Sequence, residues 1–165
     1  MSDNERKIRV LLVDDEDDLV SLMSTRLEKR HFETAATTSG GEAVTLCQTR
    51  HFDVAIIDLK MPGMDGVEVM QKLKVMQPYL QTIMCTGHGS TESALEAGKL
   101  DAFRYVMKPC DFEELVEHVM DAYRHRREML KEIYERELQD TIEHCMTAQD
   151  ILEHSEALRR KYEQD

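Results

Sequence analysis

The chain has no run of about 18 consecutive apolar residues, so it offers no membrane-spanning helix. Its first residues, Met1-Ser2-Asp3-Asn4-Glu5, are polar and acidic, unlike a secretion signal. Positive charge is scarce as well: 21 Lys and Arg stand against 33 Asp and Glu, for a net charge of −12. Basic residues gather only briefly, at Arg124-His125-Arg126-Arg127 and Arg159-Arg160-Lys161, so no nucleic-acid-binding face is expected. Cys47, Cys85, Cys110 and Cys145 are scattered, with no C-x-x-C pair to hold zinc. They read as reduced thiols, serving as small hydrophobes in a cytoplasmic protein. There is no internal repeat and no low-complexity segment. Beyond Pro109 there is neither proline nor glycine.

What is present is one domain of ordinary size with something left over, in 165 residues. The organising stretch is Asp53-Val54-Ala55-Ile56-Ile57-Asp58. Its apolar run suits a strand buried on both faces. It ends in a carboxylate, and Pro62, Gly63 and Gly66 then break the backbone into a turn. Before it, Ile8 to Val13 reads as a strand ending in Asp14-Asp15, followed by a helix with Asp17 and Asp18 in its first turn. Phe32 to Thr37 reads as a second strand, and Gly40-Gly41 opens a helix carrying Ala43, Val44, Leu46 and Cys47.

After the central strand, Val67, Val69, Met70, Leu73 and Met76 mark a helix closed by Pro78. Thr82 to Cys85 is a fourth strand ended by Thr86-Gly87-His88-Gly89, and residues 90–98 support a short helix. Ala102 to Met107 is a fifth strand, stopped by Lys108-Pro109. Asp111 suits the N-cap of the next helix, with Glu114 placed for a capping box. Strands alternating with helices predict an α/β fold, a parallel sheet covered on both faces.

From Asp111 onward the composition favours helix. One unbroken helix of that length would run roughly 80 Å, more than a small sheet can cover. Leu130, Ile133, Tyr134, Leu138, Ile142, Cys145, Ala148 and Leu152 form a narrow apolar stripe near heptad spacing, which Ile151, Leu158 and Tyr162 extend less regularly. Asp140 and Glu143 have capping-box spacing, so a break near 139–140 is expected. The stripe is read either as a self-association surface or as incidental apolar residues on a solvated helix.

Asp14-Asp15, Asp58, Thr86 and Lys108 all end strands on one sheet edge, the edge where open parallel sheets bind ligands. Clustered carboxylates repel one another when ionised. A hard divalent cation with oxygen ligands relieves this, and Mg2+ suits a few carboxylates together with a phosphate. The lysine adds a second positive charge. Such a site would attract and hold a phosphoryl group.

The motifs Leu12-Val13-Asp14-Asp15, Ile57-Asp58-Leu59-Lys60-Met61-Pro62-Gly63-Met64-Asp65-Gly66, Cys85-Thr86-Gly87-His88-Gly89 and Tyr105-Val106-Met107-Lys108-Pro109 resemble those of the CheY-like receiver domain of two-component response regulators. The resemblance covers about residues 7 to 125. It implies a flavodoxin-like, doubly wound five-stranded parallel sheet of order 2-1-3-4-5. Position by position, it implies that Asp58 accepts a phosphoryl group from a histidine kinase or phosphotransfer protein. It implies Mg2+ held by Asp14, Asp15, Asp58 and the backbone carbonyl of Lys60. Lys108, before a cis proline bond, and Thr86 would contact the phosphoryl oxygens, and Tyr105 would move with Thr86 as a switch.

Lys60 and His88 are unusual at positions that in the family flank the phosphate. Asp101 stands where many relatives have glycine, and Cys110 where many have phenylalanine. The expected organisation is a receiver over 1–125 and a helical extension over 126–165. The extension leaves no room for a DNA-binding or enzymatic output domain, so the reading is a stand-alone regulator, not an enzyme. Its helices would serve a homodimer or dock an unidentified protein target. The alternatives are a phosphorelay intermediate or phosphate sink with no output switch, and a Mg2+-dependent phosphatase. The last would carry a second acid where this chain has Lys60.

Overall fold

The computed structural model describes residues 6–87, 101–144 and 147–164. The elements run β1 (Arg9–Val13), α1 (Asp17–Lys29), β2 (Glu33–Thr37), α2 (Gly40–Thr49), β3 (Val54–Asp58), α3 (Gly66–Met76), β4 (Gln81–Thr86), β5 (Arg104–Met107), α4 (Phe112–His144) and α5 (Ala148–Gln164). The expected helix over 90–98 lies outside the described residues. The chain divides into two compact units, Met1–Tyr123 and Arg124–Asp165.

In the first unit every strand pair is parallel and the order is β2-β1-β3-β4-β5, as expected. The alternation of side chains along a strand sorts the core into two layers. Leu11, Val13, Ala55, Ile57 and Met84 face Ala43 and Cys47 of α2 and Val69, Met70 and Leu73 of α3. Val10, Leu12, Val54, Ile56, Ile83 and Val106 face the other way, onto Val20 and Leu27 of α1 and Leu115, Val119 and Ala122 of α4. Fully burying each Val, Leu, Ile or Met side chain among them is worth roughly 1.5–3 kcal/mol. All of β3 is buried, which is why its sequence lacks polar alternation.

The starts of α2, α3 and α4 are capped by short polar side chains. Ser39 accepts from Glu42 N, Asp65 from Glu68 N at 2.9 Å, and Asp111 from Glu113 N and Glu114 N at 2.9 and 3.1 Å. The Glu114 carboxylate lies 3.5 Å from His118 Nε2. At the edge opposite the expected site, Asp53 is buried. It takes hydrogen bonds from Arg9 N at 2.8 Å, from the Arg9 guanidinium and from Arg6 at 3.2 Å, fastening β1 to the start of β3.

In the second unit, the chain breaks later than its sequence suggests. Asp140 and Glu143 lie inside α4, where the helix continues to His144 and His144 Nδ1 bonds the Asp140 carbonyl at 2.8 Å. The cap belongs to Thr147. Asp150 N donates to Thr147 Oγ1 at 3.2 Å, and the hydroxyl donates to Asp150 Oδ2 at 2.6 Å. From there α5 returns antiparallel to α4, and the tail is a helical hairpin. Glu137 joins the two helices, accepting from Lys161 Nζ at 3.1 Å and from Tyr162 Oη at 2.7 Å, while Tyr134 meets Tyr162 edge-on at 6.1 Å.

The seam is accordingly Tyr134, Glu137 and Thr141 against Ile151, Ser155, Leu158 and Tyr162, all half-buried. Ile142 and Leu152, expected within the stripe, are 46% and 64% exposed. Each follows a seam position by one residue, a turn of about 100° away from the partner helix.

Candidate functional site

Each candidate residue is delivered to one edge of the sheet by the strand before it. Asp14 follows β1, Asp58 ends β3, Thr86 ends β4 and Lys108 follows β5. Asp14 and Asp58 are buried, Asp15 is exposed, and one carboxylate oxygen from each lies within 4.8 Å of the others. Asp14 is fixed by its own backbone turn, Oδ1 accepting from Glu16 N at 3.0 Å.

Lys108 Nζ enters this group. It donates to Asp14 Oδ2 at 2.5 Å, and lies 3.5 Å from Asp58 Oδ1 and 3.7 Å from Glu16 Oε1. Its backbone is held by a bond from Lys108 N to the Thr86 carbonyl at 2.7 Å, and the Lys108–Pro109 peptide is cis, as expected. Glu16, a fourth carboxylate, was not singled out in the sequence. One strand-end acid looks like its neighbour in a run of five, and only its reach toward Lys108 separates it.

The electrostatics follow from this crowding. Burial pushes the Asp58 carboxyl above its ordinary value, and the Asp14 charge adds to the push. The Lys108 charge and a hydrogen bond from the Lys60 backbone pull the other way without prevailing. Burial works against the Lys108 ammonium, but its bond to Asp14 and the charges of Asp14 and Asp58 outweigh that and raise its pKa. The Cys85 thiol beside them is pushed up to about 12, chiefly by burial, and is a poor nucleophile.

The turn after Asp58 requires glycine. A Cβ on Gly66 would stand 2.1 Å from the Asp58 carbonyl oxygen, so α3 can start this close to β3 only without a side chain. Gly63 has φ +82°, a left-handed turn position. Asp101 also adopts the left-handed region, with φ 57°, and its carboxylate binds Lys74 Nζ at 2.9 Å. Few residue types besides glycine take that conformation, and the lysine contact helps hold the aspartate in it.

Thr86 is half-buried, its hydroxyl donating to the Gly87 carbonyl at 3.1 Å. Tyr105 is half-buried against the α2–α3 core layer, opposite Met84 in the sheet. Burial, then the Asp101 charge, raises its phenol pKa. The structure thus brings Asp14, Asp15, Asp58 and Lys108 into one cluster, with Thr86 at the end of β4 and Tyr105 within β5. His88 lies outside the described residues.

The family model for the response regulator receiver domain matches residues 10–120. The chain belongs to the response regulator receiver family. The regulatory protein AtoC of Escherichia coli is 36% identical over 107 residues, 65% of this chain and 23% of that protein. The transcriptional regulatory protein ZraR of Salmonella typhimurium is 32% identical over 122 residues, 74% of this chain and 28% of that protein. The chain therefore spans about a quarter of the length of these curated relatives. A CheY-like receiver domain from Methanospirillum hungatei superposes with a TM-score of 0.71 at 27% identity, covering 75% of this chain and 99% of that one. Among the described residues of this receiver, no helix is long and apolar enough to cross a membrane.

Proposed function

We propose that this receiver accepts a phosphoryl group on Asp58 from a histidine kinase or a phosphotransfer protein, and that the resulting charge alters protein contacts. The observation that carries the reading is the placement of Lys108 between Asp14 and Asp58, beside a third carboxylate. An Asp58 oxygen attacks phosphorus in line with the bond from phosphorus to the donor's histidine nitrogen. As the new P–O bond forms, the P–N bond breaks and its electron pair leaves with the imidazole. Lys108 moves its charge from Asp14 toward the added oxygens, and the Thr86 hydroxyl turns from the Gly87 carbonyl to donate to one of them.

The donor set fits Mg2+, since it is all oxygen and its carboxylates are crowded. Asp14, Asp15, Asp58 and the Lys60 carbonyl would hold the ion, which supplies positive charge to the transferring phosphoryl group. Movement of Thr86 opens space for Tyr105, which shifts the surface around β5. The helical hairpin beyond Tyr123 serves as the output element, through homodimerisation. A relay intermediate or phosphate sink would share the chemistry at Asp58 and lack any change in assembly.

The test is intact-protein mass after incubation with acetyl phosphate and Mg2+, beside Asp58→Asn. One phosphoryl adduct, lost in the variant, supports the reading. Absence of an adduct with both acetyl phosphate and a phosphorylated histidine donor refutes it.

A further inference from the structure

The turn end of the second unit's hairpin is acidic. Around the turn, residues 138–158 contain Asp140, Glu143, Asp150, Glu153 and Glu156 but no lysine or arginine. The opposite end mixes Lys131, Arg136, Arg159, Arg160 and Lys161 with Glu132, Glu135, Glu137 and Glu163. The same stretch exposes apolar side chains: Ile142 at 46% and Leu152 at 64%, with half-buried Leu138 one turn before Ile142.

These apolar residues share one face. Leu138 and Ile142 follow the seam positions Glu137 and Thr141 by one residue, and Leu152 follows Ile151 likewise. In two antiparallel right-handed helices, a one-residue step from the seam turns both toward the same side of the pair. Glu156 and Arg159, one residue past Ser155 and Leu158, lie on that side too, and both are exposed.

The Glu137–Lys161 bond sets the register between the helices. Three residues inward from it, Asp140 of α4 and Leu158 of α5 stand at about the same height. Leu138 and Ile142 straddle that height on α4. Glu156 and Arg159 straddle it on α5. A patch is self-complementary about a twofold axis when opposite groups lie equidistant from it.

Resting on the dimer reading above, we propose that this face docks on a second copy of the chain, the two hairpins lying face to face with their turns at opposite ends. The axis passes near the Asp140 level. Leu138 then meets Ile142 of the second copy, and Glu156 meets Arg159 of the second copy, each contact formed twice. Leu152 widens the apolar face toward the turn.

The experiment is association of the full chain, measured by sedimentation with and without acetyl phosphate and Mg2+. Glu156→Arg and Arg159→Glu should each weaken self-association about tenfold or more, because each puts like charges together twice. Mixing the two variants should restore dimers, now heterodimers, since every crossing pair is again opposite in charge. Ile142→Glu should leave monomers. Wild-type monomers under both conditions would overturn both this arrangement and the dimer reading. Wild-type dimers indifferent to either charge reversal, or variants that do not rescue one another, would overturn this arrangement and leave the dimer reading standing.

Discussion

Lys108 Nζ lies 2.5 Å from Asp14 Oδ2 and 3.5 Å from Asp58 Oδ1, so the lysine charge rests chiefly on the neighbour of the proposed phosphoacceptor. In this arrangement the ammonium competes with a divalent cation for the same carboxylates. Lys108→Met should therefore tighten Mg2+ binding about tenfold while lowering the yield of phosphoryl adduct. Calorimetry with Mg2+ and adduct mass read the two effects separately. A weaker Mg2+ affinity would show that the lysine organises the carboxylates more than it opposes the cation.

The buried Asp58 carboxyl has a further consequence for stability. Its pKa is raised in the folded state, by burial first and by Asp14 next. A raised acid binds its proton more tightly when folded, so it destabilises the fold as pH climbs from the unfolded-state value through the folded one. Without Mg2+, Asp58→Asn should melt higher than wild type at pH 7, and the difference should vanish in acid below both values. Melting curves across that range check the sign.

Gly66 limits what the site can tolerate. With a Cβ placed 2.1 Å from the Asp58 carbonyl oxygen, Gly66→Ala must displace the backbone that aims Asp58. A loss of about 3 kcal/mol or more is expected, at the upper end of overpacking costs, together with loss of the phosphoryl adduct. Denaturant unfolding and adduct mass measure these. Gly63→Ala is a useful comparison, having open space but a positive φ.

Far from the site, Asp53 should matter for stability alone. Asp53→Ala removes the carboxylate that accepts from the Arg9 amide at 2.8 Å and from its guanidinium, which is 17% exposed. The cost should be about 2–3 kcal/mol, below that of a fully buried pair because Arg6 is 38% exposed. Denaturant midpoints check it, and the phosphoryl adduct should persist under stabilising conditions.

What could be read from the sequence was local. Asp14, Asp58, Thr86 and Lys108 each end an apolar run, and a strand's end is visible in its own few residues. The order of the sheet came through the family resemblance, and the observed register agrees. Contacts between distant residues were invisible. Asp53 looked like the first residue of a strand because its arginine partners lie more than 40 positions away. Gln77 is buried with bonds to Phe52 N, Cys47 O and Arg50 O, and nothing beside it announces that role. The hairpin break was misplaced for a chemical reason. Asp140 and Glu143 fit the usual capping spacing, whereas Thr147 closes its box with a shorter acid, Asp150. That shift moved Ile142 and Leu152 from the seam to the outer face.

The central claim is that Asp58 takes the phosphoryl group while Lys108 leaves Asp14 to hold it. Phosphorus NMR of the acetyl-phosphate-treated chain with Mg2+ tests it most directly, run beside Asp58→Asn and Lys108→Met. The account predicts one acyl-phosphate resonance in wild type, none in Asp58→Asn, and a weaker, shifted one in Lys108→Met. A resonance that survives Asp58→Asn, or one unchanged by Lys108→Met, would contradict it.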